Sequence, residues 1–251
     1  MVGAGPGVRD FLTLRALDRL ERADLVLYDA LVDPSLLDLA PDAQRFYVGK
    51  RAGRHAMSQR TIEALLIRHA REGKRVVRLK AGDPFVLGRG GEEALALEEA
   101  GVEYEVVPGL SSALTAPTFA GIPITHRGLS TSFLVLSGHD EAAYAPLVDA
   151  VPAGSTTLVV LMGFRGRAQL VARLVAAGWD VDTPAAIVAG AGTADQQLWT
   201  GSLDALANCA PETGGAPVTL VIGATAGLQG KIALPSPSES LSLGESSRAM
   251  S

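Results

Sequence analysis

At 251 residues, 47% of them hydrophobic and 20% charged, the chain is long enough to bury a substantial core as one large or two small domains. Lys and Arg number 22 against 27 Asp and Glu, and the resulting net charge of −5 argues against non-specific nucleic-acid binding as the main task. The single cysteine, Cys209, permits no intrachain disulfide and fits a reducing compartment. No apolar run reaches membrane-spanning length and the amino terminus lacks the layout of a signal peptide, so a cytoplasmic location is expected.

The chain opens on Gly3-Ala4-Gly5-Pro6-Gly7. A glycine loop of this kind ordinarily follows a full strand, and that strand is expected to begin before Met1. The spacing is G-x-G-x-G, with Val8 in the sixth place, and Pro6 removes an amide donor that a dinucleotide pyrophosphate needs, which argues against a nicotinamide site. Leu14, Leu17 and Leu20 mark one face of a helix, and residues 24–28 read as a strand ending at Asp29. An acid at a strand's carboxyl end is placed for ligand work or for capping a turn. After a short helix over 34–39, a strand over 44–48 delivers the loop Gly49-Lys50-Arg51-Ala52-Gly53-Arg54-His55, either an anion site or a solvated cationic surface. Ser58 caps a helix whose apolar face carries Ile62, Leu65 and Leu66.

Residues 75–80 form a buried strand that meets the bend Ala81-Gly82-Asp83-Pro84. A second glycine set, Gly88 with Gly90-Gly91, leads into a helix whose acidic first turn, Glu92-Glu93, suits its positive end. Ligands of open α/β sheets bind beyond the carboxyl ends of the strands, so a small molecule is expected at this bend. One more strand is expected over 102–107. The pattern then restarts. A small-residue helix over 112–120, strands over 132–136 and 156–162, a helix with Leu170, Leu174 and Val175 on one face, and strands over 185–188, 197–200 and 218–222 make a second α/β lobe with a more mixed sheet. The expected division is 1–110, 111–233 and a serine- and proline-rich tail, 234–251, too polar to fold.

Together these segments resemble the uroporphyrinogen III C-methyltransferases of the tetrapyrrole methylase group. The likeness is carried by residues 2–7, Val26-Leu27-Tyr28-Asp29, Val48-Gly49-Lys50-Arg51-Ala52-Gly53, residues 77–86, Gly88-Arg89-Gly90-Gly91-Glu92-Glu93, Val106-Val107-Pro108-Gly109, residues 120–127 and Ser137-Gly138-His139, in order at near-family spacing. The resemblance implies a two-lobed α/β fold, a mostly parallel amino-terminal sheet and a mixed carboxyl-terminal one with the cofactor cleft between, usually in a homodimer. It implies an S-adenosylmethionine-dependent methyltransferase that converts uroporphyrinogen III through precorrin-1 to precorrin-2, methylated at positions 2 and 7, in sirohaem or cobalamin biosynthesis. S-adenosylhomocysteine is the co-product. No metal, membrane or nucleic-acid partner is implied, and His126 and His139 lack ligand spacing.

By the same resemblance Asp29 is the proton acceptor and Lys50 the proton donor; a positioned carboxylate also suits a developing cation, and Lys50 a substrate carboxylate. Pro6, Ala81, Gly82, Asp83, Val86, Ser111, Ser112, Met162 and Ala191 fall on cofactor-lining positions. Asp83 either attracts the cofactor's cationic end or braces the turn. Arg51, Arg127 and His126 are the foremost candidates to hold a substrate rich in carboxylates. Two departures stand out: Val8 where the family usually has Asp, and Ala81 where it usually has Gly, the latter a source of strain if that position requires positive φ. A methylase for another acceptor, such as a later precorrin, diphthamide or ribosomal RNA, and a non-catalytic tetrapyrrole-binding protein, are the competing readings.

Overall fold

The computed structural model describes residues 1–49 and 57–232. Lys50, Arg51, Arg54 and His55, and the tail 234–251, lie outside these residues. The chain divides into two compact units, residues 1–111 and 112–251.

The first unit is built on a four-stranded parallel sheet in the order β1-β4-β2-β3, from β1 (Val2–Gly3), β2 (Leu25–Tyr28), β3 (Gln44–Tyr47) and β4 (Val76–Lys80). Helices cover both faces, so its central strands are apolar on both sides. Val26, Val77 and Leu79 pack on one face with Ala16 and Leu20 of α1 (Leu14–Glu21) and with Leu36 and Leu37 of a 3-10 helix, Pro34–Leu39. Leu25 and Leu27 pack on the other, with Ile62 and Leu66 of α2 (Gln59–Arg71) and Leu97 of α3 (Gly90–Glu99). Ser58 caps α2 by accepting the Thr61 amide, as its position predicts.

Two sequence-based expectations fail here. Leu14 is not on the buried face of α1: it is 87% exposed, and Ala16, one turn before Leu20 on the same face, is buried in its place. A small residue four before a leucine is invisible to a count of large apolar side chains. Residues 102–107 are not a strand. Only Val107 bridges Val2, because β1 offers two residues for pairing, and Glu105 in this segment is committed to Arg15 and Arg19, each at 2.6 Å.

The second unit holds a five-stranded mixed sheet, β5-β6-β9-β7-β8, made from β5 (Ser132–Ser137), β6 (Thr156–Leu161), β7 (Pro184–Ala189), β8 (Gln197–Ser202) and β9 (Val218–Ile222). β5 and β6 are parallel, and the remaining pairs are antiparallel. One face packs Leu158, Val160, Ile187 and Leu220 under α5 (Glu141–Ala150), α6 (Arg167–Ala176) and α7 (Leu203–Asn208). The other packs Val188 and Val221 against Ala116 of α4 (Ser112–Phe119). The expected α6 face is corrected by one position: Leu170, Val171 and Leu174 are buried, while Val175 is exposed. The parallel and mixed sheets are those expected from the sequence.

Candidate functional site

In the first unit, three stretches of backbone converge at the carboxyl ends of β1 and β4. Gly5 and Gly82 exchange hydrogen bonds of 3.2 and 2.8 Å, the Ala4 amide donates to the Lys80 carbonyl at 2.7 Å, and the Gly3 amide donates to Val107 at 3.0 Å. Gly109 completes the junction: a Cβ there would lie 2.2 Å from the Gly82 carbonyl oxygen. Only glycine permits this approach. Asp83 then ties the loops together. Its Oδ1 accepts the Phe85 amide at 2.8 Å and its Oδ2 the Gly109 amide at 3.0 Å, so of its two expected roles the bracing one is realised.

Ala81 departs from the glycine expected of the family without backbone strain. The non-glycine residues with positive φ are Leu87, Arg89 and Met162 among the described residues, and in this bend Gly82 takes the left-handed conformation at φ 67°. Beyond the bend, Phe85, Val86 and Leu87 present exposed apolar surface, and Arg89 is paired with Glu92 at 2.6 Å. A neutral bend beside apolar side chains suits a nucleoside better than a phosphate, which needs free cations. Ala81, Gly82, Asp83 and Val86, in or just after this bend, are the residues that could hold a nucleoside-bearing cofactor. Ser111, at the end of the same unit, is buried.

Asp29 follows the last residue of β2. Its Oδ1 accepts the Leu31 amide at 3.2 Å, which makes it a turn cap, while Oδ2 faces Nη2 of Arg78 at 3.4 Å; the side chain keeps 29% of its surface exposed. It is thus both braced and reachable. Arg78 itself is only 5% exposed, with Nη1 donating to the carbonyls of Leu79 at 3.1 Å and Leu27 at 3.4 Å.

Alternation along β4 places Arg78 and Lys80 on one face, beneath α3. α3 can start close to the bend because Gly90 has no Cβ, which would lie 2.4 Å from the Pro84 carbonyl oxygen. This brings Glu93, with no exposed surface, to the two cations: Oε1 accepts from Lys80 at 2.8 Å, from Arg78 at 3.2 Å and from Gln59 of α2 at 3.3 Å. Burial, reinforced by the Arg78 charge and opposed by Glu93, holds the Lys80 ammonium below the usual lysine range. Sequence reasoning assigned Glu93 to the helix end and missed this cluster. The available signal was two charges at alternate positions of a strand covered on both faces, followed by an acid in the next helix.

In the second unit, Ser112 opens α4 and Met162 follows β6 with φ 57° and 53% of its surface exposed. An apolar side chain held out of the core in a left-handed conformation is placed for contact with something other than its own fold. Ala191 packs against the apolar cluster that includes Ala116, Val188 and Val221, in a loop pinned by Gln196, which accepts the Gly192 amide at 2.9 Å and donates to the Phe119 carbonyl at 3.2 Å. His126 and Arg127 are exposed on a turn closed by the His126 amide on the Ser130 carbonyl at 2.8 Å. The first unit thus joins the Gly5-Pro6 turn, through the Gly5–Gly82 bridge, to the bend of Ala81, Gly82 and Asp83, whereas the second presents its candidates at the start of α4, after β6 and on two further loops. Among the described residues, no three His, Cys, Asp or Glu side chains group as a metal site, and no helix is long and apolar enough to cross a membrane.

Residues 1–207 match the family model of the Tetrapyrrole (Corrin/Porphyrin) Methylases. The chain belongs to this family. Siroheme synthase 1 of Cronobacter sakazakii is 45% identical to this tetrapyrrole methylase over 235 residues, covering 93% of the chain and 50% of that protein. The chain accordingly spans about half the length of the curated relatives it matches. Among solved structures, the uroporphyrin-III C-methyl transferase of Thermus thermophilus complexed with S-adenyl homocysteine is 40% identical, with a TM-score of 0.77 over 90% of this chain and 97% of that one. A cobalt precorrin-4 methyltransferase is similar at 25% identity, with a TM-score of 0.75 over 90% and 94% of the two chains.

Proposed function

We propose that this tetrapyrrole methylase is an S-adenosylmethionine-dependent uroporphyrinogen III C-methyltransferase, forming precorrin-2 through precorrin-1 for sirohaem or cobalamin biosynthesis. The observation that carries the reading is Asp29, a braced yet reachable carboxylate at the end of β2. The likeness to the Thermus thermophilus enzyme supports it.

Pro6, Ala81, Gly82, Asp83, Val86, Ser111, Ser112, Met162 and Ala191 are proposed to hold S-adenosylmethionine, which supplies an electrophilic methyl group when bound. The chain's own task is then largely orientation, since an attacking ring carbon must lie in line with the bond it breaks. Arg51, Arg127 and His126 are proposed to grip the carboxylates of the ring, which lets an acidic protein hold an acidic substrate. A pyrrole carbon that has gained a methyl group leaves the ring positively charged until it sheds a proton. Asp29 takes that proton, which leaves the ring neutral; Lys50 is proposed as the proton donor that the family match assigns. The homodimer and the cytoplasmic setting belong to the same reading and rest on the family likeness.

Release of S-adenosylhomocysteine on anaerobic addition of uroporphyrinogen III tests the proposal. Release with a later precorrin and none with uroporphyrinogen III would transfer the reading to another member of the family.

A further inference from the structure

We propose that Glu93 is a positioning residue for methyl transfer: by fixing Arg78 from below, it holds Asp29 in the orientation in which it receives the proton. The inference rests on the reading of Asp29 as proton acceptor. Its basis is a continuous set of contacts within the first unit. Glu93 Oε1 accepts from Arg78 Nε at 3.2 Å, the carbonyls of Leu27 and Leu79 fix the guanidinium plane through Nη1, and Nη2 is left facing Asp29 Oδ2.

Stability alone does not account for this cluster. Glu93 Oε2 is buried with no hydrogen-bond partner, and such an acceptor costs about 1–3 kcal/mol. Buried ion pairs are often replaced by apolar side chains without loss of stability, so an all-apolar face beneath α3 would serve the core as well. What an apolar face cannot do is aim a guanidinium at Asp29. Lys80 has the complementary part: it neutralises Glu93 so that Arg78 remains available to Asp29. Arg78 from β4 contacts Asp29 directly, and Glu93 from α3, paired with Lys80, stands behind it.

The test is anaerobic methyl transfer to uroporphyrinogen III by the full chain, with kcat and KM measured separately. Glu93→Leu alone leaves two buried cations short of a counter-charge, so the decisive variant is the charge-balanced Lys80→Met/Glu93→Leu, which also removes the acceptor of Arg78 Nε, with Arg78→Lys as an independent second. Folding is verified by binding of S-adenosylhomocysteine. The inference predicts a kcat lowered by about tenfold to a hundredfold with KM for S-adenosylmethionine unchanged. Added to Asp29→Asn, the balanced pair should cost nothing further, since it acts only through Asp29. A folded balanced variant with wild-type kcat, or losses that multiply with Asp29→Asn, would overturn the positioning role. Wild-type activity in Asp29→Asn itself would instead remove the proton-acceptor reading on which it stands.

Discussion

Asp83 Oδ2 accepts the backbone amide of Gly109 at 3.0 Å, a bond across 26 residues that ties the bend after β4 to the loop after Val107. Together with the Asp83 contact to the Phe85 amide, it fixes the shape of the proposed cofactor loop. Asp83→Ala removes both acceptors and should cost about 1–3 kcal/mol of stability, with a weaker affinity for S-adenosylhomocysteine. Asp83→Asn keeps one acceptor oxygen and should fall between. Urea unfolding and calorimetric titration measure the two effects; equal behaviour of Asp83→Ala and the parent chain would show the brace to be idle.

The glycine junction makes a sharper steric prediction. At Gly109 an added Cβ would sit 2.2 Å from the Gly82 carbonyl oxygen and 2.8 Å from the Gly3 backbone, neither of which is a flexible side chain. Gly109→Ala should therefore destabilise by about 1–3 kcal/mol or more, seen as a lower urea midpoint. Gly91→Ala, where nothing lies within 4 Å, is the matched control and should be close to neutral.

Lys80 offers a pH test. Burial above all lowers its pKa in the folded chain, whereas the unfolded chain titrates near 10.5. Between those two values the unfolded state binds more protons, so Lys80 adds a contribution to stability that rises with pH. Unfolding free energies from pH 8 upward should show that the parent chain gains stability relative to Lys80→Met as pH approaches 10.5. A flat or falling difference would mean that Lys80 is not desolvated.

Far from the proposed site, Asp24 accepts from the Arg75 amide at 2.7 Å and from its guanidinium at 3.0 and 2.7 Å. These bonds lower the Asp24 pKa from 3.8 to about 2. A lowered carboxylate pKa stabilises the fold above the unfolded value, and that support is lost as pH falls toward 2. Carboxyl carbon NMR should find Asp24 titrating near 2 and, in Arg75→Gln, returning toward 3.8.

Much of this architecture is legible in the chain because both units follow strong local rules. The run ending at Lys80 followed by Ala81-Gly82-Asp83-Pro84 signals a strand and a bend, and Ser58 signals a helix start. The mixed second sheet is legible from strands that recur without intervening long helices. Two helices escaped, α5 and α7, because α5 contains Pro146 and α7 spans only Leu203–Asn208. The buried cluster of Arg78, Lys80 and Glu93 escaped for a different reason. Charge in a sequence reads as surface, and only the approach of α3 to β4, which Gly90 permits, turns Glu93 inward. For Asp83 the sequence leaves two roles open, attracting a cationic end or bracing the turn, and the bond to the Gly109 amide shows the bracing contact.

The measurement closest to the central claim is to incubate the chain anaerobically with uroporphyrinogen III and S-adenosylmethionine carrying an isotope-labelled methyl group, and to map the label in the product. Two labelled methyl groups on ring carbons at positions 2 and 7, with S-adenosylhomocysteine formed in step and the rate sharply lowered but measurable in Asp29→Asn, is the predicted result. Label absent from the ring carbons, with the cofactor bound and intact, would contradict it.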